Sequence, residues 1–220
     1  MGFTAAHQRQ VLQFTEHVST LRRLKSPIKR GKRFLVAQVE KDYGLPDLSF
    51  ALHLYLRGLP TVQSNFLPAS LSPASVANMT VRLFTQLRVP VKDEHDLELI
   101  HIHTIRSVAN WRRKGARRDF ALFLKSGTAA YGSLQGHSVG QVELLFRIDL
   151  PFGMASHNLV FMTELQATSD GHVQRPYQLV RFNQPPAVDY NTAEVQSHRI
   201  VMNIKSIQGS AHMGPRGDGN

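Results

Sequence analysis

The apolar positions of this chain change their period once. Over residues 4–25, Val11, Leu12, Phe14, Val18, Leu21 and Leu24 recur three and four apart, a spacing that predicts a helix with one apolar face. Thr4 is its candidate N-cap and Pro27 ends the pattern. One apolar stripe must be buried against something, either residues 34–39 or a segment outside this chain. Residues 34–39 themselves fit a strand or a helical continuation equally. A second helix is predicted over 45–57, with Asp47 as N-cap, Gly58 just past its end, and Leu48, Ala51, Leu52, Leu54 and Tyr55 as its apolar face.

Residues 59–79 carry Pro60, Pro68, Pro73 and several serines, the composition of a linker. Beyond them the pattern becomes strand-like. Val81, Phe84, Leu87 and Val89 alternate with polar residues over 80–91, and Leu99, Ile102 and Ile105 do so less regularly over 98–105. A short apolar run follows at 120–124. Over 139–150, Val142, Leu144, Phe146 and Ile148 share one face, which places Glu143 and Asp149 on the wet side. Further strands are predicted over 158–166, 177–182 and 199–207, separated by Pro-Phe-Gly and Ser-Asp-Gly turn signals. The fold class expected is α+β, with N-terminal helices followed by a small antiparallel β-barrel or curled sheet. Its parts are a helical basic arm (1–58), the linker (59–79), a β-rich domain (80–213) and a polar, disordered tail (214–220).

Charge changes this picture most. Lys and Arg number 26 against 16 Asp and Glu, a formal net charge of +10, which favours polyanions as partners, nucleic acid first. Two clusters hold much of it. One comprises Arg22, Arg23, Lys25, Lys29, Arg30, Lys32 and Arg33. The other comprises Trp111, Arg112, Arg113, Lys114, Arg117 and Arg118, where the only tryptophan could stack on a base. Both are candidate nucleic-acid contacts, and either could instead be a nuclear-import signal or a solvated loop.

The remaining chemistry is sparse. There are no cysteines, which excludes disulfides, thiolate catalysis and cysteine-ligated zinc. His101 and His103, two apart on a predicted strand, share a face near His95, Asp96 and Glu98, but a metal site needs a third ligand and supporting groups. The acidic residues 93–98 are expected in a solvated turn. Gly132-Ser133 and Gly209-Ser210 do not form a nucleophile elbow, and no glycine-rich run ends in Gly-Lys-Ser/Thr. No apolar run approaches a membrane span, and residues 1–12 are too polar for a signal peptide. The expectation is a non-enzyme without cofactor or metal, nuclear or else cytoplasmic.

One resemblance adds to this. Arg117-Arg118-Asp119-Phe120-Ala121-Leu122-Phe123, then residues 134–146 (LQGHSVGQVELLF), then Tyr177-Gln178-Leu179-Val180-Arg181-Phe182, then residues 199–215, with Ser206-Ile207-Gln208-Gly209-Ser210-Ala211-His212 as the most specific piece, follow in an order that resembles the C-terminal region of proteins encoded by fungal DNA transposons of the Plavaka or CACTA-like kind. The likeness spans residues 80–215. It implies a catalytic RNase-H-like core lying upstream of this chain, so that no catalytic residue carries over, and a start at Met1 that reflects either a truncated element or a broken gene model. The strand order is also similar to that of bromo-adjacent-homology-type barrels, a likeness of fold alone. Together these readings imply a non-catalytic accessory fragment that binds DNA or chromatin loosely. The alternatives are a protein-interaction module working through the helix at 4–25, or a degenerate fragment without function.

Overall fold

The computed structural model describes residues 22–59, 71–92, 100–109, 115–124, 137–150, 156–167, 182–183 and 199–211. In chain order the elements are β1 (Arg23–Pro27), β2 (Phe34–Leu35), α1 (Val36–Tyr43), α2 (Leu48–Arg57), α3 (Pro73–Ala77), β3 (Thr80–Lys92), β4 (Ile100–Val108), β5 (Arg117–Arg118), β6 (Phe120–Leu124), β7 (His137–Ile148), β8 (His157–Glu164), β9 (Gln166–Ala167), β10 (Phe182–Asn183), β11 (Arg199–Asn203) and, after a 3-10 turn over Ile204–Ser206, β12 (Ile207–Ala211).

Two long strands bend the sheet. One edge of β3 pairs with β2 and β1; the other pairs with β7 over Val81 to Phe84 and with β4 from Gln86 to Lys92. The exchange of partners falls at Thr85, whose hydroxyl donates to the carbonyl of Ser26, a residue in the left-handed region at φ 56°. One edge of β7 pairs with β8, while the other is shared between β6 and β3. A bulge lies between Val142 and Leu144, and bulges sharpen local bending. All pairings are antiparallel, and the result is a curled sheet, a half-barrel, with few helices. Strand β12 pairs with β6 and crosses beside β4, where the Ser210 amide and hydroxyl lie 3.3 and 3.1 Å from His103 Nδ1.

Both faces of the central strands are buried. On one side Leu83, Leu144, Phe146, Ile148, Leu159, Phe161 and Val201 meet α1, α2 and α3 through Val36, Val39, Leu48, Leu52, Leu56 and Val76. Inside the curl, Leu87, Val89, Ile105, Phe123, Val142, Leu145, Val160 and Met162 meet Ile204 and Ile207. Double burial explains the unbroken runs Leu144-Leu145-Phe146 and Leu159-Val160-Phe161-Met162, since a strand with one wet face would alternate. At about 1.5–3 kcal/mol for each large apolar side chain, these two clusters dominate the folding energy.

Several expectations change. Of the helix predicted over 4–25, residues 4–21 lie outside the described residues, and Arg23–Pro27 is strand, with Leu24 packed on the curl's interior. Residues 34–39 divide into β2 and the start of α1. In α2 the buried positions are Leu48, Ala51, Leu52, His53 and Leu56, whereas Leu54 is 51% exposed. Of the predicted face, Leu48, Ala51 and Leu52 are buried and Tyr55 packs against the core, and Leu54 alone points away. Asp47 makes no side-chain cap there; it receives Arg199 at 2.9 Å. Within the predicted linker, α3 is capped by Ser72, which accepts from the Ser75 amide, and buries Val76 in the core shared with the sheet. Glu143, expected on the wet face, is buried, because the bulge after Val142 shifts the phase of β7.

Candidate nucleic-acid interface

Register determines which cations meet. On β1, β3 and β4, Leu24, Leu87 and Ile105 form one inward row. The neighbouring positions therefore point outward. One outward row is Arg23–Arg88–Thr104 and the next is Lys25–Gln86–Arg106. Arg23 and Arg88 are exposed, and Lys25 and Arg106 are half-buried. None of these four side chains is ion-paired with a described residue. Like charges directly across a strand pair destabilise it, so this arrangement is one that a bound anion would relieve.

The loop from β1 to β2 extends the field. The Ile28 amide donates to Leu83 O at 2.9 Å and holds the loop's base to β3. Lys29 and Gly31 take φ of 50° and 78°, and the Lys32 amide closes the turn on Lys29 O. Lys29, Arg30 and Lys32 are exposed at this tip, with Lys32 Nζ 5.2 Å from the Phe34 ring centroid.

Other candidates are held by acids or by the backbone. Arg33 and Arg82 both reach Asp149 Oδ2, at 2.9 and 2.6 Å, while Ser156 donates to Oδ1. The Asp149 carboxyl is held below its ordinary range, first by the Arg82 hydrogen bond and then by Ser156 and the two charges, against the effect of burial. The guanidinium of Arg22 donates to Lys205 O at 2.9 Å, and burial lowers its pKa. Arg117 lies 3.0 Å from Asp119, whose other oxygen accepts from the Arg106 amide. Arg118 meets Glu143 at 2.5 Å. Trp111, Arg112, Arg113 and Lys114 lie outside the described residues.

A second polar site joins α2 to the sheet. The Tyr55 hydroxyl is 2.8 Å from His157 Nδ1. Burial, then the charge of Lys205, lowers the His157 pKa; burial raises that of Tyr55. This is a part-buried hydrogen-bonded pair that ties the helix to the sheet. His103 is engaged by Ser210, and among the described residues no three His, Asp or Glu side chains are grouped to hold a metal ion.

No family model, curated protein or solved structure matches this chain.

Arg88 and Arg106 are the contributors that sequence reasoning missed. Each is flanked by uncharged residues, so neither forms a run of charge. Alternation could have placed them outward, but only the pairing of β1, β3 and β4 places them beside Arg23 and Lys25.

Proposed function

We propose that this protein is a non-catalytic module that holds DNA loosely through its basic surface, as an accessory part of a transposon-encoded protein working in the nucleus. The observation that carries the reading is the cross-strand pair Arg23–Arg88, without an ion-pair partner among the described residues and flanked by Lys25 and Arg106. The exposed tip Lys29, Arg30 and Lys32 adjoins it along the chain. Cations gathered in this way contact phosphates and provide affinity without choosing a sequence.

Residues of the first basic cluster thereby fall into two roles. Arg23, Lys25, Lys29, Arg30 and Lys32 face the partner, while Arg22 and Arg33 secure the fold. In the second cluster, Arg117 and Arg118 hold acids, and contact with DNA falls to Trp111 through Lys114. The transposon origin rests on the resemblance of residues 80–215, and the genomic sequence upstream tests it: a transposase frame there supports it, and an unrelated gene opposes it.

Binding of the full chain to a labelled DNA duplex, followed by fluorescence anisotropy, tests the function. Affinity that falls steeply as salt rises from about 50 to 200 mM is expected. No binding at the low end, or binding indifferent to salt, overturns the proposal.

A further inference from the structure

The cationic face has an apolar edge. Ile102 lies two positions before Thr104 on β4 and so points outward beside the Arg23–Arg88 row. It is 50% exposed, although it stands in a strand whose alternate position, Ile105, is fully buried. With strands about 4.8 Å apart and alternate residues about 6.8 Å apart, the four cations cover roughly 10 by 7 Å, with Ile102 one step beyond.

Curvature narrows the partner. Leu87, Val89 and Ile105 line the inside of the curl, so Arg23, Lys25, Arg88, Arg106 and Ile102 stand on its convex side. A duplex is itself a stiff convex cylinder, and two convex bodies touch over a small area. A flexible single strand can follow the bend with its phosphates on the cations, as in the positively charged tracks of single-strand binders, while an unpaired base or sugar rests on the exposed aliphatic side chain of Ile102. Resting on the DNA-binding reading above, we infer that the preferred ligand of this face is single-stranded nucleic acid, with Ile102 as the base or sugar contact. An anionic bilayer would also accept cations beside an isoleucine, but one exposed apolar side chain buries little hydrocarbon.

The test uses the full chain with a labelled 20-nucleotide single strand of mixed sequence, the same sequence as duplex, and vesicles containing phosphatidylserine. The single strand binds at least about fivefold tighter than the duplex. Ile102→Ala, which removes aliphatic surface from the contact, weakens single-strand binding about threefold and leaves both its salt slope and duplex binding unchanged. Arg88→Glu weakens both nucleic acids and makes both salt slopes shallower by about 1. Both substitutions are at exposed positions, and circular dichroism verifies that each variant folds. Equal or tighter duplex binding, an Ile102→Ala variant that binds the single strand like the parent, or vesicle binding that exceeds both, overturns the inference while the polyanion reading stands. If neither nucleic acid binds, both fall.

Discussion

Arg23 and Arg88 stand directly opposite one another on neighbouring antiparallel strands, both exposed and neither offset by an acid among the described residues. Two such charges repel, so the free protein carries a small penalty for its surface. Replacing Arg88 by Gln raises the stability of the isolated chain by a few tenths of a kcal/mol at low salt, a gain that fades in high salt, while affinity for nucleic acid falls. Urea unfolding at two ionic strengths checks it. A loss of stability would show that Arg88 supports the fold.

Arg118 behaves in the opposite way. Glu143 lies in the middle of β7 with its side chain 5% exposed, held by Arg118 and by the Thr163 hydroxyl. Arg118→Ala leaves that carboxylate buried with its charge uncompensated, a loss of about 3 kcal/mol. Chemical denaturation measures it. At equal folded fraction, the variant binds DNA closer to the parent than Arg88→Gln does.

The pair Tyr55–His157 makes stability depend on pH. Burial and Lys205 lower the His157 pKa below its ordinary 6.5. The unfolded chain therefore takes up a proton at a pH where the folded one still resists it. This contribution is complete above about pH 6.5 and is lost as pH falls from there toward the depressed folded value. Thermal melts between pH 7.5 and 5 follow the descent, and His157→Gln, which cannot titrate, flattens it. A His157→Gln profile identical to the parent's would remove His157 as the cause.

Gly140 is a packing constraint where β7 passes between β6 and β8. A Cβ there would stand 2.8 Å from Met162 Sδ, 3.2 Å from the backbone oxygen of Thr163 and 3.3 Å from Phe123 Cε1. The methionine can move, but the backbone and the ring give way less readily. Gly140→Ala costs about 1–3 kcal/mol, seen as a lower denaturation midpoint with an unchanged slope.

Much of the β-rich part was legible because alternation reports burial directly. The strands at 80–91, 120–124 and 139–150 correspond to β3, β6 and β7, and the turn-flanked run at 158–166 covers most of β8. What alternation cannot report is phase after a bulge: a regular period puts Glu143 in water and Val142 on the face of Leu144, and the shift after Val142 reverses both. Helical spacing also extended too far. Leu24 fits a period of three from Leu21, yet between the outward Arg23 and Lys25 it fits a strand equally well, and its pairing with Leu87 decides the matter. Basic runs were visible, but their neutralisation was not: Asp149 is distant in sequence from Arg33 and Arg82. The cationic patch arises from three segments, and no single one of them signals it.

The most direct measurement of the account is the dependence of DNA affinity on salt for the parent and for a double variant, Arg23→Gln with Arg88→Gln. Each phosphate contact contributes about 0.9 to the slope of log affinity against log salt on duplex DNA. A steep slope is expected for the parent and one shallower by about 2 for the variant. Equal slopes in two folded proteins would contradict it.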